Sequence, residues 1–312
     1  MTSWTVRAAP SQYGAQRPSF GYTVNAGDEI TDGIEILNQG TEPVKVKIYP
    51  ADGFTTAAGS FDLLPEEQHS QDVGTWVKPA VSSVMLAVGQ IKRVPFSLAV
   101  PANATPGDHV GGIATVLDHK SDGASAGTAA HDGASLPIKV RVSGAVSPQL
   151  KIESAKLDVA GATNPFGTGA TTISYTVDNT GNTVLSGLQK VTVTGALGLS
   201  TRTFDGNRLP DLLPGERWQV RMRVNKVHGL FWGSAKVTVT PVSTDAASST
   251  STLAPITVSD RSVLSMGSFV LLAVAPLMVV AFAWLLNRLV YRRRSASKAG
   301  PDASIPAAVE EG

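Results

Sequence analysis

The chain reads as all-β: two tandem immunoglobulin-like β-sandwiches followed by a single transmembrane α-helix. Three observations predict this. Between Trp4 and Val142, short runs of alternating apolar and polar residues are punctuated by Gly, Pro, Asn and Asp, the signature of antiparallel strands and turns. After Pro148 the same pattern resumes, with an Asn-x-Gly turn and a later strand in the same order. Finally, Val263–Leu286 is a run of 24 residues without a charge.

In the first unit, residues 1–146, Ile34 and Ile36 lead into the turn Asn38-Gln39-Gly40, after which Val44, Val46 and Ile48 alternate with Lys45 and Lys47. A strand so patterned buries one face and wets the other. Val84, Leu86 and Val88, then Val94, Phe96, Leu98 and Val100, then Ile138, Val140 and Val142 continue the series. Roughly seven short strands with turns at this spacing predict a sandwich. Asp118 to Ser135 holds no apolar residue larger than Ala, which predicts a mobile hairpin loop or a disordered excursion.

The second unit, residues 147–258, opens on the strand region LKIESAKLDV. Asn179-Thr180-Gly181 then follows an alternating strand as Asn38-Gln39-Gly40 does. In LLPGERWQVRMRV, Trp218, Val220, Met222 and Val224 point inward against Gln219, Arg221 and Arg223, and VGQIKRVPFSLAV is the counterpart in the first unit. Two correspondences in one order predict related sandwiches. FWGSAKVTVTPV supplies another strand; STDAASSTST and LAPITV read as a polar connection and membrane-proximal stalk.

Residues 263–287 are the predicted membrane helix. At about 1.5 Å per residue the apolar run crosses a hydrocarbon core about 30 Å thick, whereas a helix packed in a soluble core shows a polar face. Pro276 is expected to kink it. Arg288, Arg292, Arg293 and Arg294 follow, against Arg261 alone just before, so the tail 288–312 is expected in the cytoplasm and all that precedes Val263 outside. This is a single-pass plasma-membrane topology. MTSWTVRAAP lacks the charged and apolar regions of an export signal, so a signal is expected to have been removed or to lie upstream.

The chemistry is sparse. With no Cys, thiol catalysis and disulfides are excluded, and a net charge of +1 argues against nucleic acid as a partner. Neither HExxH nor GxSxG occurs, and the adjacent Glu66 and Glu67 cannot flank one glycosidic bond, so neither enzyme activity nor a cofactor is expected. Asp108-His109 and Asp118-His119 form two Asp-His pairs that a hairpin would bring together round a metal; the plainer reading makes His109, in PGDHVGG, a polar turn residue. Tyr49, on the wet register of its strand with Asp52 nearby, and Trp76, after the turn DVG, are candidates to stack on sugar rings, with inward packing the alternative for each. Candidate ligand-binding residues are thus Tyr49, Asp52, Trp76 and His109.

FGYTVNAGDEITDGIEILNQGTEPVKVKIYPADGF, GSFDLLPEE, DVGTWV and especially VPANATPGDHVGGI from Val100 to Ile113 resemble the extracellular domain of the WxL-interacting proteins of Gram-positive bacteria, in their actinobacterial form. The resemblance covers about residues 4 to 145. It implies a peptidoglycan-binding immunoglobulin-like first domain, a second domain that takes a protein ligand on a surface, and a C-terminal membrane anchor. The expected function is a non-enzymatic, membrane-anchored cell-surface protein that binds peptidoglycan or another cell-wall glycan, a surface protein, or both. The alternative is an accessory extracellular subunit of a membrane transport or secretion complex.

Overall fold

The computed structural model describes residues 2–118, 133–160, 168–194, 201–228, 232–243, 254–263 and 266–296. The first sandwich has two sheets. One contains β1 (Trp4–Ala8), β3 (Glu29–Asn38), β8 (Ile91–Ala99) and β6 (Val77–Pro79), in the order β1-β3-β8-β6. The other contains β2 (Phe20–Val24), β10 (Gly133–Val142), β9 (Gly107–Leu117), β4 (Val44–Thr55) and β5 (Phe61–Leu63) in that order, with β7 (Ser83–Leu86) also paired to β4. Ile34, Ile36, Phe96 and Leu98 from the first sheet meet Val46, Ile48, Ile113 and Ile138 from the second in one core.

The chain changes sheets as it enters: β1 runs antiparallel to β3, and β2 parallel to β10. Arg17 pins this crossover, donating to both oxygens of Asp32 at 2.7 and 3.0 Å and to the Ala9 carbonyl at 2.8 Å. Burial opposes the charge on Asp32, but Arg17, the Tyr22 hydroxyl and the Gly33 amide outweigh it and hold the carboxyl below its usual range.

The second sandwich packs β11 (Leu150–Ala160), β12 (Thr168–Asn179) and β15 (Arg217–His228) against a sheet of order β14-β13-β16-β17, formed by β14 (Thr201–Asp205), β13 (Leu185–Thr194), β16 (Trp232–Ser243) and β17 (Ile256–Val263). Its core is separate, built on Ile152, Tyr175, Val177, Leu185, Val220, Val237 and Val239. Val220 and Val224 are buried, with Trp218 and Met222 packed beside them, as the alternation requires. The expected stalk is corrected here. Ile256 to Val263 pairs antiparallel with β16, and Ile256 and Val258 pack on the core, so this segment closes the sandwich instead of leading away from it.

The internal repeat is atomic in its detail. Asn38 and Asn179 are both fully buried. Their side-chain amides donate to the carbonyl four residues on, Glu42 at 2.9 Å and Thr183 at 2.8 Å. They donate also to Leu86 and Leu212, while their Oδ1 atoms accept from Gly40 and Gly181. Their backbone carbonyls accept from Gly89 and Gly215, which both take positive φ, +70° and +80°, where a side chain would be strained. Each Asn thus staples two turns at one end of its sandwich.

A single turn, α1 (Val73–Trp76), interrupts the first sandwich, and a helix, α2 (Met266–Ala296), follows the second within three residues of β17. Side chains of α2 are described from Val274 to Val290; among the described residues no helix is long and apolar enough to cross a membrane. Within that stretch Leu277, Val280, Phe282 and Trp284 are each at least 60% exposed. The expected hairpin loop, with His119 and His131, lies outside the described residues except for its ends.

Candidate functional site

Where the two sandwiches meet, the stapled turns of the second seat against the first. Asn182 donates to the carbonyls of Pro106 and Ala145, both at 2.9 Å, and accepts from the Ser147 amide at 2.7 Å. Its own carbonyl accepts from the Asp108 amide at 2.8 Å. Gly107 makes this approach possible: it holds φ at +129°, and a Cβ there would lie 2.2 Å from the Asn182 oxygen. Glu216 reaches the other way, accepting from the Thr55 amide at 2.7 Å and the Thr55 hydroxyl at 2.6 Å.

Asp108 is the centre of the joint. Its side chain is fully buried and receives the Arg141 guanidinium in a two-pronged contact at 2.7 and 2.8 Å. Its Oδ2 also accepts from the Val184 amide of the second sandwich at 2.9 Å. A buried carboxylate needs this many donors, because leaving it unpaired costs several kcal/mol. Losing it would take from the joint the acceptor of the Val184 amide.

Beside the joint opens a cleft of about 340 Å³, lined by Asp52, Asp72, Thr105, Pro106, His109 and Val110 from the first sandwich and Asn182, Leu213, Pro214 and Glu216 from the second. Asp52 accepts from the amides of Gln71, Asp72 and Gly74 at 2.5, 2.9 and 2.7 Å, which winds α1 against β4. The turn presents Asp72 to His109, whose Nδ1 lies 2.8 Å from the carboxylate while Nε2 lies 2.8 Å from the Thr105 carbonyl. Burial disfavours a charge on this ring, but Asp72, Thr105 and then Asp108 outweigh it, so the His109 pKa is raised above its ordinary 6.5. Both ring nitrogens face acceptors, so His109 is built to stand as an imidazolium and has no free nitrogen with which to act as a base.

Asp52, Trp76 and His109 therefore come together around α1, and Tyr49 does not join them. His109 is not in a turn but on β9. Trp76 is not an outward stacking ring; only 6% exposed, it belongs to the first core, with its ring centroid 4.8 Å from that of His109. The reason is α1, whose single turn swings the indole inward. Tyr49 does point away from the main core, but the ring is half-buried against a small second cluster of Ala51, Ala114 and Leu63, the last residue of β5. Its flanking lysines are engaged, Lys45 with Asp118 at 2.7 Å and Lys47 with Glu66 at 2.6 Å. Among the described residues no group of three His, Asp or Glu could hold a metal. Arg288 lies over the Trp284 ring at 5.2 Å, and the side chains of Arg292, Arg293 and Arg294 lie outside the described residues.

No family model matches the chain, and no curated protein matches it in sequence. Solved structures are similar in part. A class 5 fimbriae chaperone, CfaA, is 11% identical with a TM-score of 0.39, over 83% of this chain and 100% of that one. The CupB2 chaperone of Pseudomonas aeruginosa is 11% identical at 0.32, over 78% and 97%. The YadV chaperone is 9% identical at 0.33, over 82% and 99%. Superpositions this loose carry no argument about function, and the fold class rests on the strands and cores themselves.

Proposed function

We propose that the chain is a non-enzymatic, membrane-anchored envelope protein of the WxL-interacting kind, which holds two joined sandwiches outside the cell to bind wall glycan. The observation that carries the reading is α2. Leu277, Val280, Phe282 and Trp284 cover more than one side of the helix and are exposed. Each large apolar side chain left in water forfeits about 1.5–3 kcal/mol, so a helix like this is served by an apolar phase around it. Val263 pairs in β17, so the membrane segment starts later than the expected 263; the uncharged stretch Met266–Leu286 of α2 is, by its sequence, of the length a bilayer would take.

For the glycan, the cleft offers what a sugar ring needs. Pro106, Val110, Leu213 and Pro214 give an apolar wall, and Asp72, whose side chain is 36% exposed, gives a hydrogen-bond acceptor at its rim. The test is retention of the full-length chain, in neutral detergent, on purified peptidoglycan, compared with a variant whose cleft is filled. Pro214 occupies the turn position that Val88 takes in the first sandwich, so Pro214→Trp is tolerated by the backbone while its indole fills the cleft. Retention should fall by about tenfold or more, corresponding to about 1.4 kcal/mol, with the melting temperature unchanged. A wild-type chain that is not retained overturns glycan binding; equal retention of both overturns the cleft as its site.

A further inference from the structure

The outer face of the sheet β11-β12-β15 holds cations that make no ion pair among the described residues. Strand register puts Lys156, Ser174 and Arg221 in one row across the sheet, and Thr172 and Arg223 in the next, with Asp158 at its far edge. Val220 and Val224 point into the core while Arg217, Gln219, Arg221 and Arg223 are exposed on the outside. Towards the joint the charges cancel: Lys151 pairs with Glu153 at 3.3 Å and Arg217 with Asp178 at 3.4 Å. Among the described residues, Lys156, Arg221 and Arg223 make no ion pair.

The first sandwich serves as an internal control. Its register is the same when Asn38 and Gln90 are set on Asn179 and Glu216, since Ile36 faces Lys92 as Val177 faces Trp218. On that alignment the positions of Arg221 and Arg223 hold Pro95 and Ser97. The remaining arginines of that face are engaged, Arg7 with Glu35 at 2.8 Å and Arg93 with the Pro10 carbonyl at 3.3 Å. There β6 also covers the edge of β8, whereas among the described residues no strand covers the equivalent edge of β15. That face still carries the exposed Lys78 opposite Ser97, but the scaffold does not require arginine at these two positions, and among the described residues only the second sandwich has the pair.

We infer that this face is a docking surface for an extended phosphodiester polymer. Arg221 and Arg223, two positions apart on one strand, root their side chains about 6.6–7 Å apart on the same face, and each presents a planar fork that grips a phosphate by two hydrogen bonds. Ser174, Thr172 and Gln219 supply hydroxyl and amide donors between and beside the charges. A bilayer fits the face less well. β15 runs from the joint at Arg217 to His228, at the end of the sandwich where Val263 pairs with Trp232 and α2 begins, so the face lies along the sandwich and not across its membrane end. That the wall is the source of the polymer rests on the envelope reading above. The binding itself does not, so peptidoglycan retention can fail while this inference stands.

The experiment measures binding of the full-length chain, in neutral detergent, to labelled poly(glycerol phosphate), with poly-glutamate and phosphatidylglycerol vesicles as the other anions. Wild type is expected to bind the phosphate polymer, less tightly as salt is raised, and R221Q/R223Q to bind it at least about tenfold more weakly. R221K/R223K should fall between them, and all three should melt alike because both side chains are exposed. The inference is overturned if R221Q/R223Q binds within about twofold of wild type. It is overturned also if poly-glutamate binds as tightly as the phosphate polymer, or if the vesicles bind and the polymer does not.

Discussion

At the scale of single residues, the first sandwich depends on a few polar groups placed where burial would otherwise penalise them. His109 is the one whose consequence is easiest to read. Its pKa is raised in the folded state, so the protein binds a proton there more tightly than the unfolded chain does. The stability this gives is complete below the ordinary pKa of 6.5 and disappears as pH rises through the folded value. His109→Gln should therefore melt below wild type at pH 5.5, with the two melting temperatures converging as pH rises toward 9. A gap that stays constant across that range would mean that the ring acts by packing on Trp76 alone. His109 itself was visible in the sequence as a candidate, but its partner was not. Asp72 lies 37 residues away, Val184 lies 76 residues from Asp108, and Glu216 lies 161 from Thr55. Pairings over such distances are set by how strands stack, and leave no local spacing to read.

At the scale of elements, what the sequence showed was period two. Val44, Val46 and Ile48, and later Val220 and Val224, turned inward as their alternation requires, and the two Asn-x-Gly turns proved to be the same hydrogen-bonded staple. Two short elements were not legible. α1 is a single turn, too short to display a helical period, and without it Trp76 looks like the exposed neighbour of a turn. β17 hides because Ser259, Asp260, Arg261 and Ser262 break its apolar alternation after Val258. Its role is testable by truncation. Ile256 and Val258 pack half-buried on the second core, and losing their burial should cost about 1.5–3 kcal/mol in all while leaving β16 as a bare edge. Chain 1–263 should therefore melt with both sandwiches intact, and chain 1–255 should lose the amide dispersion of the second while keeping that of the first. Equal melting of the two would make β17 peripheral.

At the scale of the whole molecule, Asp108, Asn182 and Glu216 join the sandwiches through direct backbone contacts, and a helix with exposed apolar side chains follows the last strand within three residues. The two β-sandwiches were legible because a repeated strand grammar is a coarse signal. The joint and its cleft were not, since they arise only where two units with separate cores meet. On the function proposed above, α2 anchors the chain with both sandwiches outside and the arginine-rich end inside. Protease added to intact cells carrying a chain tagged after Gly312 tests it directly. The predicted result is removal of the sandwiches with a short tagged fragment protected, which becomes accessible only when the membrane is permeabilised. Loss of the tag from intact cells with the sandwiches spared, or full protection of both, would contradict it.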